Sequence, residues 1–303
     1  MRTASFSISV AFVSVVSLVS FVSSASAQTS DVVGVRALGM AGAFTAVADD
    51  ATATWWNPAG LAGGAYFSAI LEYAHPDDRS GEGLRGVSLG FPALGLSYYR
   101  VPASELRPTI ATAGPVGSRE DERTLSVFSA TVGQSIGNHL VVGSTVKLLN
   151  MGETKGGLDL GAMAMFGRAR VGLMVRNVTE PEFGSGAEAR KARRTARAGA
   201  AFTTGTRGVI GDTTVAFDAD LVKTPTVRGE ERRMAAGGEL WMLKRRVGVR
   251  GGVSASTIGE RRPTPSAGLS AALRPGTFVD AELTGGGADE GRRGWSIALR
   301  VTF

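Results

Sequence analysis

The sequence predicts an all-β fold: a transmembrane antiparallel β-barrel of about fourteen strands, preceded by an N-terminal segment of different character. Three observations predict it. A secretory leader opens the chain, most of the mature chain alternates large apolar residues with small or charged ones, and the connections alternate long and short.

The leader spans residues 1–27. Arg2 precedes the apolar stretch Ile8 to Val22, and Ala25-Ser26-Ala27 supplies a small-residue cleavage site, so the mature chain is expected to begin at Gln28. No later apolar run reaches the roughly 20 residues that a membrane helix needs; the longest, Ala37 to Ala48, falls well short.

Composition narrows the chemistry. The 303 residues are 43% hydrophobic with 42 Gly, which excludes a disordered chain, and they contain no Cys. Disulfide scaffolds, thiolate zinc sites, iron–sulfur clusters and thiol nucleophiles are therefore excluded. With only His75 and His139, a multi-histidine metal site is not expected, and His75-Pro76-Asp77-Asp78 reads as a solvated turn. No G-x-S-x-G elbow supports a hydrolase, and Met40 stands where a phosphate loop would need Lys. The net charge of +6 is interspersed, so no nucleic-acid partner is expected. The chain reads as a non-enzyme without cofactor or metal.

The barrel over residues 64–303 rests on the period of two. In the last strand Trp295, Ile297, Leu299, Val301 and Phe303 alternate with Ser296, Ala298, Arg300 and Thr302. Val215, Phe217, Ala219 and Leu221 alternate in the same way with Ala216, Asp218 and Asp220, as do Val279, Ala281 and Leu283 with Asp280 and Glu282. Each segment has about ten residues, the length of a tilted membrane-crossing strand. A soluble sandwich would carry a polar face rich in Lys, Thr and Glu; here the second face is Gly, Ala, Ser and isolated charges, which suits a crowded lumen. Tight connections such as Phe91–Ala93, Gly167–Ala169, Leu243–Arg245 and Arg274–Gly276 are expected at the periplasmic end. Long ones, including His75–Gly83, Pro102–Arg123, Met151–Gly157 and Val178–Ala192, are expected outside. The basic run Ala189–Arg197 would then lie near lipopolysaccharide phosphates.

Glu72, Lys147, Asp159, Arg176, Arg197, Asp218, Asp220, Glu239, Arg250, Asp280, Glu282 and Arg300 all fall on the inward face. Glu239 is expected beside Arg250, and Asp280 and Glu282 beside Arg300, either as structural charge ladders or as the lining of a solute path.

Residues 28–63, a plug or hatch by family resemblance, are different in kind. Asn57-Pro58-Ala59-Gly60 is turn chemistry; Asp49 and Asp50 can bond backbone amides; Gly39, Ala41, Gly42, Ala43 and Ala46 are small enough to lie against a wall. Of Trp55 and Trp56, one is expected inside the plug and one at the membrane interface. Residues 34–63, GVRALGMAGAFTAVADDATATWWNPAGLAG, resemble the opening of the FadL/TodX superfamily of outer-membrane proteins, and especially its PorV/PorQ-like branch. Arg36, Ala37, Leu38, Gly39, Met40, Gly42, Ala43, Phe44, Asp49, Asp50, Asn57, Pro58, Ala59, Gly60 and Leu61 fit that pattern, and Ala41 stands where Gly is usual. The terminal Phe303 on an alternating strand resembles an assembly signal for the barrel-assembly machinery.

The resemblance implies an outer-membrane protein of a Gram-negative-type envelope, surrounded by lipid and lipopolysaccharide, whose plug sits in or under the barrel. Its FadL/TodX side implies passage of hydrophobic or small molecules. Its PorV/PorQ side implies a cargo-binding or shuttle component of a type IX-like secretion apparatus, with a secreted protein as partner. A purely structural barrel is the third alternative. The loops at 103–123 and 179–194 offer few apolar residues for a greasy pocket.

Overall fold

The computed structural model describes residues 32–76, 83–102, 107–108, 124–185, 190–206, 208–226, 229–259, 261, 263–285 and 294–303. The leader, the first plug residues and much of the loops at 77–82, 109–123, 186–189 and 286–293 lie outside that set.

Fourteen antiparallel strands close into a barrel. In chain order they are β1 (Ser68–Pro76), β2 (Leu84–Phe91), β3 (Leu94–Pro102), β4 (Thr124–Ile136), β5 (Leu140–Met151), β6 (Glu153–Phe166) and β7 (Ala169–Arg176), followed by β8 (Thr195–Thr204), β9 (Ile210–Asp220), β10 (Arg233–Met242), β11 (Val247–Ser256), β12 (Thr264–Arg274), β13 (Thr277–Thr284) and β14 (Gly294–Thr302). Each strand pairs with its sequence neighbour, and β1 pairs with β14 to close the ring, so no edge is left open. The closure is pinned at the last residue, where Phe303 and Phe67 exchange backbone hydrogen bonds.

The inside-out polarity follows from the pleat. On β14, Trp295, Ile297 and Leu299 are 43–45% exposed, while Ser296, Ala298 and Arg300 between them are at most 4% exposed. Aromatic pairs mark both edges of the apolar band: Tyr73 with Trp295 at the long-loop end, and Phe67 with Phe91 and Phe303, and His139 with Phe166, at the short-turn end. Trp295 and Phe303 are eight residues apart on one strand; at about 3.3 Å per residue and a tilt of about 40° the band is roughly 20 Å tall, a fit to a thin hydrocarbon layer. Among the described residues no helix is long and apolar enough to cross a membrane.

One expected outer loop is not a loop. β5 and β6 stay paired up to Met151 and Glu153 around the single residue Gly152, at φ 80°. Alternation fades over Met151–Gly157 because this hairpin stands clear of the apolar band, yet its backbone ladder continues. Beyond the same end, Arg107–Pro108, Arg190–Lys191 and Glu182–Phe183 form a small sheet, and Thr224–Thr226 pairs with Gly229–Glu231.

Candidate functional site: a filled lumen

The plug runs through the barrel from the long-loop end to the short-turn end. Val32 and Val33 begin it against Leu84, Val101 and Leu125, and Gly64 leaves it just before Phe67. Three short helices shape it: α1 (Val35–Gly39), α2 (Ala53–Trp56) and a 3-10 turn at Pro58–Gly63. Its side chains form the apolar centre of the molecule, with Met40, Ala43, Phe44, Ala46 and Val47 fully buried.

Such a short, turn-rich segment cannot satisfy its own backbone, and the wall does it instead. Glu72 accepts from Gly34 N at 2.9 Å and Val35 N at 3.3 Å; Asp218 accepts from Phe44 N and Thr45 N at 3.2 and 2.9 Å. Asn57 caps the 3-10 turn by accepting from Ala59 N, and its amide donates to Thr45 O and to Ala162 O of β6. Asp50 accepts from Thr52 N and Thr52 Oγ1, starting α2. Ala41, where the resembled pattern has Gly, adopts φ 56°, a left-handed conformation that explains the usual residue.

The seat for this segment is glycine in the wall. A Cβ on Gly143 or Gly161 would overlap Pro58 or the Asn57 side chain; one on Gly172 would strike Thr45, and one on Gly237 or Gly252 would strike Met40. Within the plug, a Cβ on Gly60 would overlap the Ala48 carbonyl oxygen. The small residues of the plug point to only one side of this contact; inward-phase glycines in β5 to β11 are the sequence signal for the other.

A continuous ionic ladder joins plug to wall. Arg36 of α1 pairs with Asp49 and with Asp50 (3.2 Å) in the plug and, by two bonds of 2.7 and 2.8 Å, with Glu239 on β10. Glu239 also accepts from Arg250 Nε on β11 at 2.7 Å; Arg250 reaches Ser270 on β12 and Asp280 on β13; Asp280 accepts from Arg300 Nε on β14 at 2.7 Å. Arg170 lies 3.7 Å from Asp49, so four cations meet four carboxylates. Six of the eight are buried, Asp49 and Arg170 being half-buried, and balance in sign and geometry is what makes such a set tolerable away from water. Glu282 accepts from Ser296 and Thr284, and Asp220 pairs with Arg197 at 2.8 Å. Pro58, Ala59 and Gly60 are buried against β5 and β6, and Gly39 touches Gly268 and Arg250.

Both tryptophans lie inside the barrel. Trp56 is 1% exposed and donates to Val33 O at 2.9 Å; Trp55 packs edge-on against Tyr99 beneath the Arg176 guanidinium. The expected interfacial tryptophan is therefore not there, because α2 turns both rings toward the lumen walls. A cavity of about 20 Å³ beside them, lined by Thr45, Arg176, Arg197 and Asp220 among others, has room for about one water.

Around the first plug residues, Val32 and Val33, the inward face changes character. Leu84, Tyr99, Val101, Leu125, Val127 and Leu149 on β2 to β5, none more than 3% exposed, form an apolar wall with Phe183 and Ala192 of the loop over it. Among the described residues no group of His, Cys, Asp and Glu is arranged to hold a metal ion.

No family model and no curated protein matches the sequence. In structure the chain is similar to the toluene transporter TbuX of Ralstonia pickettii (TM-score 0.60, 10% identity), covering 91% of this chain and 99% of that one. It is similar to the CymD monoaromatic hydrocarbon channel (0.58, 11%) and to the P. putida toluene transporter TodX (0.54, 11%), each over 91% of this chain and 99% of the other. The fold is the FadL-type barrel. At these identities the likeness is one of architecture, down to a strand count and closure that the alternating sequence predicts.

Proposed function

We propose that this protein is an outer-membrane channel that admits hydrophobic molecules through its outer mouth, after its leader has been removed and the barrel-assembly machinery has inserted it. The observation that carries this reading is the buried apolar wall from Leu84 to Leu149 around the first plug residues at the long-loop end. This wall is closed by the first plug residues, Val32 and Val33, and by Phe183 and Ala192 of the loop, an apolar cover whose place an apolar solute could take. The names of the similar structures, two toluene transporters and a hydrocarbon channel, support the same substrate class. With the lumen filled, passage requires the plug to shift or the wall to open.

The test is uptake of labelled toluene or a longer hydrocarbon by cells whose own hydrocarbon channels are deleted. Expression should raise uptake, and Leu125→Asp or Val127→Asp should return it to background while the barrel still runs as a heat-modifiable species. Uptake equal to the empty-vector level sinks the proposal.

The motif from Arg36 to Leu61 supports a second reading, a PorV/PorQ-like carrier of secreted cargo, and a filled lumen agrees with it. Loss of secreted proteins from the medium on deletion, with hydrocarbon uptake unchanged, would favour that reading.

A further inference from the structure

The short-turn rim is divided into two unlike halves. From β14 round to β5 it is aromatic and aliphatic: Phe67, Phe91, Leu94, Ile136, Leu140 and Phe303, with His139 the one ionisable side chain among the described residues of its turns. From β6 round to β13 the described residues of the same rim expose Arg168, Lys244, Arg245, Arg246 and Arg274 against one side-chain carboxylate, Asp212.

Two of these cations, Arg245 and Arg274, are set in place by contacts to their neighbours. Arg245 bonds Asp212 at 3.0 Å and lies 4.9 Å over the Trp241 ring, and Arg274 Nε donates to Thr277 Oγ1 at 3.1 Å. The turn that carries three of them is also unusual in its backbone. Leu243, Lys244 and Arg245 adopt φ 52°, 56° and 63°, three side-chained residues in a row, whereas other short turns place a single residue there: Gly137, Gly167, Gly208, Gly276 or, between β2 and β3, Ala93. Side-chained residues resist this conformation, so the turn retains strain in order to present Leu, Lys and Arg. Beside the cations stand exposed apolar residues: Leu243 at 52%, Leu273 at 66% and Val209 at 66%. Alternating exposed Leu with cations at the depth of the aromatic band matches an acyl-to-headgroup boundary; a soluble partner's docking face would lie further out.

We propose that this basic half of the rim binds the anionic headgroups of phospholipids in the periplasmic leaflet, with Leu243 and Leu273 in the acyl layer. The inference rests on the outer-membrane channel reading.

The experiment is native mass spectrometry of the full folded chain in detergent, titrated with phosphatidylglycerol or phosphatidylcholine of identical acyl chains. Wild type should retain phosphatidylglycerol about tenfold more tightly, and the preference should collapse at high salt. Lys244→Gln/Arg246→Gln/Arg274→Gln should abolish the preference without touching phosphatidylcholine retention. Lys244→Gly should weaken it while raising the unfolding midpoint, since strain is relieved. Equal retention of the two lipids by wild type, a salt-insensitive preference, or a variant that keeps it overturns the inference, as does cross-linking in cells that finds this rim only against a soluble acidic protein. Heat-modifiability and hydrocarbon uptake are read on the same preparations: their failure strikes the channel reading, whereas their persistence without lipid preference strikes this inference alone.

Discussion

Arg36 in the plug and Glu239 on β10 form a two-bond ion pair, Nε to Oε1 at 2.8 Å and Nη2 to Oε2 at 2.7 Å, between residues 203 apart in sequence. Wall and plug are thus joined by one of the most directional contacts a protein makes. Removing one partner of a buried pair costs about 3–5 kcal/mol, because the other charge stays buried. Arg36→Ala should therefore release the plug at lower urea than the barrel unfolds, read by the fluorescence of Trp55 and Trp56 against gel mobility of the barrel. A single coincident transition at the wild-type midpoint would argue that the pair does not hold the plug.

The glycine seat predicts a separable effect. Gly161→Val places a side chain where the Asn57 amide oxygen lies. The strand itself tolerates Val well, since β-branched residues suit a pleated wall. The barrel should still fold, the plug should lose its seat, and planar-bilayer recordings should show a larger conductance together with sensitivity of cells to bulky antibiotics. Unchanged conductance in a folded variant would mean that the wall can yield at β6.

Phe303 stacks with Phe67 at 6.3 Å between ring centroids, and that pair closes the β1–β14 seam. Phe303→Ala should cost the folded barrel about 1 kcal/mol, the worth of one aromatic pair. A larger effect is expected on biogenesis, measured as the fraction of heat-modifiable protein in the outer-membrane pellet. If insertion is unaffected and only stability changes, Phe303 is a structural staple and not an assembly signal.

Acid should loosen the loop above β7. Glu180 is held below the ordinary carboxylate range, first by the Arg194 backbone N–H and then by Lys191. A depressed folded value means that its contribution is present above the ordinary range and is lost as pH falls through the folded value. Protease nicking near residues 180–194 should therefore rise as the medium is taken below the usual carboxylate titration, and Glu180→Gln should nick readily already at neutral pH. A flat pH profile for wild type would refute the assignment.

Part of this architecture is legible in the sequence. Trp295 to Phe303, Val215 to Leu221 and Val279 to Leu283 announce strands and faces, because a pleat maps parity in sequence directly onto inside and outside. The pairing of Glu239 with Arg250 and of Asp280 with Arg300 follows from neighbouring strands having the same inward phase. Depth is not legible. Parity says that Leu125 and Val127 point inward, but not that they meet Tyr99, Leu149 and Phe183 in one apolar cluster, since that depends on stagger between strands. Nor does it show that Met151–Gly157 continues a ladder, or that α2 turns both tryptophans into the lumen.

By itself, then, the order of residues determined a closed sheet of fourteen strands, greasy outward and mixed inward, with an unlike segment ahead of it. Only the tertiary structure decided where that segment rests, which carboxylates receive its amides, and which glycines make room for it. The reason is physical: alternation is a local property of one strand, whereas a seat is made by atoms brought together from opposite walls, and no single stretch of chain carries that distance.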